Sequence, residues 1–511
     1  MGQLVATLAL AQDNAFGQPL ESQLRSCLLA CWLTDEVDVD PELRRTVYWV
    51  ALLRYIGCTG HAHEVATLFG DEIVIRAQTL VHDAANPAEV IRDVITFATA
   101  GRPPEEREQI VEAIHQGAHD WAVHNFASGC EVGDMLLERL DLGTGVREAL
   151  AFTFERWNGH GFPNGAAGEA IPLAMRIVHL THDMEAIARH SSPAAAIEAA
   201  RDRRDRTYDP ALADLFVANG PGWLERLAKV DPWDAVLERE PEPHRLLDDT
   251  FDDALELIAD FIDLKSPFMV GHSRRCARLA GDAAGKLQLD RTVVTAIRRA
   301  ALVHDLGTTA VPNSIWDKPG PLTRTEFDRV ELHTMLTEQM LRRSPALAEL
   351  VPIAAAHHEK ADASGYHKGL GTGACDRGAA VLCAADAYIA LTTDRADRPA
   401  LPDNLAAAEL RQQAATGVLE PDAVNAVLMA AGQQVGAGAG APRRRHPGGL
   451  TNREMDVLRL AARGLTTREI AERLFISPKT ADHHIQHVYT KIGVSTRAAA
   501  ALWATQHAVV G

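Results

Sequence analysis

The chain repeats part of itself. ALLRYIG (51–57) matches ALVHDLG (301–307) at an offset of 250 residues, and at that offset Ser22 falls opposite His272. FERWNGHGFPNG, beginning at Phe154, matches HEKADASGYHKG, beginning at His358, at an offset of 204. AMRIVHLTHDMEAI (174–187) matches GAAVLCAADAYIAL (378–391) in the same way, and YDPALADLF (208–216) and LEPDAVNAVL (419–428) close the two copies. The pieces run in the same order, so the chain reads as two related domains in tandem. The change of offset gives the first copy an insertion of about 46 residues.

A length of 511 residues leaves room for a third domain. Apolar residues recur at helical spacing, as in ELRRTVYWVALLRYIG (42–57) and RTVVTAIRRAALVHDLG (291–307), so the expected fold is mainly α. QQVGAGAGAPRRRHPGG (433–449) is too rich in Gly and Pro for regular structure and reads as a flexible linker. An acidic, proline-broken stretch marks a weaker connection over 231–265. The net charge of −18 excludes a protein that coats nucleic acid with its whole surface, so any DNA contact must be local. Seven cysteines without a CxxC pair read as reduced thiols in a cytoplasmic protein. No apolar run approaches the roughly 18 residues that a membrane span needs.

The second copy carries His272, His304-Asp305, His333, His357-His358 and Asp386. Singly these are weak signals, since His-Asp occurs also at 82–83, 119–120 and 182–183. Jointly they place several polar groups inside apolar helices, where an unpaired carboxylate is costly. Imidazole and carboxylate donors suit Fe, Mn, Zn or Ni. Five histidines and two aspartates are too many for one tetrahedral ion and fit two ions sharing a carboxylate, an arrangement suited to phosphoryl transfer. The first copy has Ser22, Arg54, Tyr55, Thr153, Phe154 and His182 in the matching places, and only the last of these binds transition metals. Its inserted histidines (His61, His63, His82, His115, His119, His124) read as a solvated helical surface.

With GHSRRCARLA (271–280), HDLG, VPNSIWDKPGPLT (311–323), HHE, SGY (364–366) and ADAYIALTTDRADRPA (385–400), the second copy resembles an HD-GYP domain. That family is the metal-dependent branch of the HD phosphohydrolases and hydrolyses cyclic di-GMP. The resemblance assigns 266–432 to such a domain and 1–230 to a degenerate copy. It implies that His272, His304, Asp305 and Asp386 hold one ion, that Asp305 bridges to a second held by His333, His357 and His358, and that His304 and Asp305 are catalytic. Two divalent transition ions are expected, iron or manganese first. Asp362, Ser364, Gly365, Tyr366 and His367 would form the substrate loop. There are departures. The family's Lys three residues after the Asp is Thr308 here, its loop Gly is Ala363, its Pro is His367, and Phe268 stands where some members carry a Glu for a third metal.

Residues 450–511 show Thr451-x-x-Glu454 and Thr466-x-x-Glu469, two capping boxes, and Ser477-Pro478, a further helix start. The stretch TTREIAERLFISPKTADHHIQHVYTKI reads helix, short turn, helix, which lays a second helix in a major groove. With GLTTREIA, LFISPKTADHHI and KIGVSTRAAA in register, it resembles a LuxR-type DNA-binding domain of four helices. The resemblance places Asp482, His483, Gln486 and His487 toward base edges and Lys479, Thr480, Lys491 and Arg497 toward phosphates. Double-stranded DNA and a cyclic dinucleotide or related phosphodiester are the expected partners of a homodimer that makes no use of a membrane. The whole reads as a transcriptional regulator with a phosphodiesterase domain; the alternative is a DNA-binding factor whose HD-type copies only bind ligand or dimerise.

Overall fold

A computed structural model describes residues 1–83, 86–243, 246–371, 373–433 and 447–510. Most of the stretch read as a linker, 434–446, lies outside the described residues. The helical expectation holds: among the described residues the only β pairing is three isolated bridges. The chain forms two compact units, 1–247 and 248–511.

In the first unit, α1 (Gly2–Ala15) and α2 (Ser22–Asp35) are buried on nearly every side, the polar Gln12, Asp13, Gln23 and Ser26 included. Helix α3 (Pro41–Leu53) starts where Asp40 accepts a hydrogen bond from the Leu43 amide at 2.7 Å. It is followed by the long α4 (Pro104–Leu137), α5 (Leu173–His190) and α6 (Pro210–Leu227). Helix α2 packs against α3 and α5 at the centre.

The second unit holds α7 (Asp248–Asp263), α8 (His272–Lys286), α9 (Arg291–Val303), α10 (Arg324–Arg343), α11 (Arg377–Leu391) and α12 (Pro421–Ala430). Helix α8 sits against α9, α11 and α12. Its buried face is Cys276, Ala277, Ala280, Ala283 and Ala284, small side chains that let neighbouring backbones come close. A capping box, Thr323 with Glu326, starts α10.

The unit ends in four short helices, α13 (Asn452–Ala462), α14 (Thr467–Arg473), α15 (Pro478–Ile492) and α16 (Arg497–Gln506). Both capping boxes form, and the Ser477 hydroxyl accepts from the Thr480 amide. Val457, Ala461, Ile470, Ala471, Ala481 and Ile485 make the core of this module.

The repeat is a structural one. The Glu155 carboxylate accepts from the amides of Asn164 and Ala166, and the Glu359 carboxylate accepts from those of Lys368 and Leu370, both pairs at the 204 offset. A Cβ on Gly57 would lie 1.8 Å from the carbonyl oxygen of Gly129, and one on Gly307 would lie 1.9 Å from that of His333. Gly129 is therefore the counterpart of His333, a pairing that the matched segments did not reach.

Candidate metal centre

Five segments of the second unit deliver the candidate ligands. His272 is the first residue of α8, and His304-Asp305 ends α9 in a tight turn. His333 lies within α10, His357-His358 follows the short helix Val351–Ala354, and Asp386 lies within α11. All are buried except His358, whose side chain is 22% exposed and marks the open side.

Local backbone aims three of the imidazoles. The Nδ1 atoms of His304, His333 and His357 lie 2.8, 2.6 and 2.6 Å from the carbonyl oxygens of Ala301, Val330 and Ala354, each three residues earlier. An Nδ1–H donating there leaves Nε2 as the free lone pair pointing inward, the usual outer-shell support of a metal-binding histidine. Two hydrogen bonds through one hydroxyl hold the HD turn: the Gly307 amide donates to Thr337 Oγ1, which donates to the His304 carbonyl.

The Asp305 carboxylate divides the donors into two sets. Its Oδ2 lies 3.3 Å from His304 Nε2 and 3.6 Å from His272 Nε2, which in turn is 3.0 Å from Asp386 Oδ1. Its Oδ1 lies 3.5 Å from His333 Nε2 and 3.4 Å from His357 Nε2. The two Nε2 atoms of His333 and His357 face each other at 3.2 Å. Ligand atoms within 4.8 Å of one another form the groups His272, Cys276, His304, Asp386; His333, His357, His358; and His304, Asp305, His357. His304 Nε2 is buried without a hydrogen-bond partner, a donor set that a cation would complete.

The electrostatics suit ligation. Burial pushes the pKa of His304 and of His333 down to about 4, and lowers those of His272 and His358. Burial raises Asp305, but His304, His357 and His333 outweigh it and hold the carboxyl well below its usual range. Burial likewise raises Asp386, and the opposing pull of His272 and His358 wins. For His357, burial acts downward and its bond to Asp305 reverses the sign. At neutral pH the set is thus mostly neutral imidazole around ionised carboxylates, the forms metals bind.

The loop departs from expectation in instructive ways. Ala363 does adopt a left-handed conformation, φ +62°, where the first copy has Gly159 at +77°. His367 is held by Thr334 Oγ1, 2.9 Å away, and by Glu338, 3.5 Å away. The Tyr366 ring lies 4.4 Å from that of His358, and Asp362 accepts from the amide and hydroxyl of Ser364. The Thr308 hydroxyl is turned into its own turn, donating to the Asp305 carbonyl at 2.7 Å. Glu359, the acid of HHE, is a clamp on the loop backbone.

The HD domain family matches residues 126–212 and 256–422, and the family of bacterial regulatory proteins named for LuxR matches 449–504. The chain is an HD-domain protein with a LuxR-family module. It is 28% identical over 423 residues to 3'3'-cGAMP-specific phosphodiesterase 3 of Vibrio cholerae, covering 82% of this chain and 92% of that one. A solved structure of a cyclic GMP-AMP specific phosphodiesterase of V. cholerae superposes with a TM-score of 0.59 at 25% identity, covering 85% and 98%. The cyclic di-GMP phosphodiesterase response regulator RpfG of Xanthomonas campestris is 32% identical over 178 residues; the match spans 34% of this chain and 47% of that one.

In the first HD copy, among the described residues, no group of three or more metal-binding side chains assembles. Thr153 and Phe154 stand where His357 and His358 do, and His182 pairs with Asp183 at 3.2 Å. One expectation fails there: His61 is buried, because its ring packs against Gly129, while His115, His119 and His124 are exposed. In the LuxR-family module, Lys479, Thr480, Asp482, His483, Gln486 and His487 are exposed along α15. Lys491 also pairs with Glu454 at 2.7 Å, and Arg497 donates to the carbonyls of Gly464 and Leu465. Among the described residues no helix is long and apolar enough to cross a membrane.

Proposed function

We propose that the second HD domain is a metal-dependent phosphodiesterase acting on a cyclic dinucleotide, and that the LuxR-family module couples it to transcription. The observation that carries this reading is the division of the Asp305 carboxylate between two sets of inward-facing imidazoles. His272, His304, Asp386 and Asp305 Oδ2 would hold one divalent ion, and His333, His357, His358 and Asp305 Oδ1 a second. Ions there would polarise a phosphodiester and ionise water at neutral pH. The chain's own residues orient the substrate: Tyr366 and His358 form the open side, and the Glu359 clamp fixes the loop that carries Tyr366. Relatives named for cyclic di-GMP and for 3'3'-cGAMP support a cyclic dinucleotide substrate.

Thr308 presents no ammonium to a phosphate, which favours slow turnover and keeps a second reading in play, that of a ligand-sensing domain. Metal analysis of the purified chain, with hydrolysis of 3'3'-cGAMP and cyclic di-GMP by wild type and Asp305→Ala, separates the two. The enzyme reading expects turnover that Asp305→Ala abolishes. Full metal loading without Asp305-dependent turnover would leave the sensor.

For the DNA module, Lys479→Ala should weaken binding to all duplexes alike and reduce its salt dependence, whereas Gln486→Ala should relax sequence preference. Unchanged binding in both would refute the placement of α15 in the groove. Paired half-sites would call for a homodimer, measurable by sedimentation of the free chain and its DNA complex.

A further inference from the structure

The seven cysteines read from sequence as plain thiols, but one of them lies at the centre. Cys276 follows His272 by four residues on α8, so the two side chains share a helix face. Its Sγ is 3.6 Å from His272 Nε2, and it belongs to the same close group as His304 and Asp386. Two donors on one ion, with metal–sulfur near 2.3 Å and metal–nitrogen near 2.05 Å, lie about 3.1–3.8 Å apart at the angles of four- or five-fold coordination. Cys276 is fully buried, and His304 Nε2 beside it is buried without a hydrogen-bond partner. Among the described residues, no other cysteine joins a group of this kind. The first copy makes the contrast: at the 250 offset stands Ser26, its hydroxyl donating to the Gln23 carbonyl.

We infer that Cys276 is a thiolate ligand of the ion held by His272, His304 and Asp386, so that this half of the centre selects a thiophilic metal, zinc or ferrous iron, over manganese or magnesium. The inference rests on the metal-centre reading above and deepens it. On binding, the S–H bond breaks, a metal–sulfur bond forms and the proton passes to solvent. A thiolate adds a third negative charge to those of Asp305 and Asp386, offsetting most of the charge of two divalent ions. It also shifts the preference away from the manganese that imidazole and carboxylate alone accept. An ordinary buried thiol hydrogen-bonded to an imidazole is the competing account.

The test uses the full-length chain. Zinc-loaded wild type should show a sulfur shell near 2.3 Å by X-ray absorption at the zinc edge, and cobalt-loaded wild type a sulfur-to-cobalt charge-transfer band in the near ultraviolet. Cys276→Val and Cys276→Ser should each lose the band while still holding cobalt. Each should also lose about 10-fold or more of the preference for zinc over manganese in competition, as expected for a direct ligand when outer-shell partners alone are worth that much. Metal bound without a sulfur shell in the wild type, or a band that survives Cys276→Val, overturns the assignment and leaves the metal centre standing. Failure of the wild type to retain cobalt or zinc against dialysis would instead remove the metal-centre reading, and the cysteine ligand with it. The absorption measurement needs no variant, so a misfolded Cys276→Val does not leave the question open.

Discussion

The two HD copies share a frame and differ in what fills it. In both, a glutamate clamps the loop by accepting from two backbone amides, and a glycine lets the turn after α3 or α9 press against a carbonyl of the facing helix. Inside that frame the second copy gathers donors around Asp305. The first fills the same space with aromatic rings and a buried guanidinium. Tyr55, in the place of Asp305, stacks on Phe16 at 3.9 Å and lies 6.4 Å from Phe154. Arg54, in the place of His304, is buried 3.6 Å from Asp183 Oδ1, with its guanidinium 5.2 Å from the Tyr55 ring. A guanidinium thus supplies a fixed positive charge where the other copy is built to receive a mobile one. The comparison teaches that the frame is stable without the chemistry, provided the buried carboxylate still meets a cation.

The sharpest way to break this view is to remove that cation. Arg54→Met should destabilise the first unit by about 3–5 kcal/mol, because Asp183 is left buried with less compensation. His304→Met should cost metal retention with a smaller loss of metal-free stability. Equal losses in denaturant melts of the metal-free proteins would mean that Arg54 is ordinary packing. Next come the glycines. Gly57→Ala and Gly307→Ala should each cost about 1–3 kcal/mol through backbone displacement, yet only Gly307→Ala should release metal, since it displaces His333. Metal loss from Gly57→Ala would refute the separation of the copies.

Metal and pH give a third contrast. Saturating zinc, at about 100 times its dissociation constant, should raise the stability of the second unit by about 2.7 kcal/mol and leave the first unchanged. Without metal, both units should weaken in acid. His61 is pushed down to about 3 and His182 to about 4 in the first unit, and His304 and His333 to about 4 in the second, all mainly by burial, against an ordinary value of 6.5. The unfolded chain then binds more protons, so the stability these groups confer is full above pH 6.5 and drains as pH falls toward about 4, and for His61 toward about 3. Zinc at pH 6 should restore only the second unit, as followed by hydrogen exchange. The smallest effect concerns one loop residue. Ala363→Gly should stabilise the second unit by up to about 1 kcal/mol, because φ +62° suits glycine, which the first copy keeps at Gly159.

Much of this was legible in sequence because it is local or sterically locked. Capping boxes are spelled out within four residues, and all of those expected form. The repeat survives where a Cβ or a lost carboxylate would break the backbone, as at Gly57, Gly307, Glu155 and Glu359. What could not be read depends on partners far along the chain. Arg54 and Asp183 meet across α3 and α5, and nothing near either announces the other. His61 looked solvated among its neighbours because burial against Gly129 is set by the packing of α4. Cys276 gives no signal in sequence because a lone cysteine in a small-residue helix resembles core.

The hydrogen bonds from His304, His333 and His357 to carbonyls three residues behind them have a consequence for how such a centre is gained or lost. Each imidazole is aimed by its own stretch of chain, so a ligand can disappear by one substitution while the segment keeps its path. Degeneration of this kind is reversible in principle. Histidines returned to positions 54, 129, 153 and 154 would inherit a backbone that still runs along the old route, and the insertion over Gly129 would be the first obstacle they met.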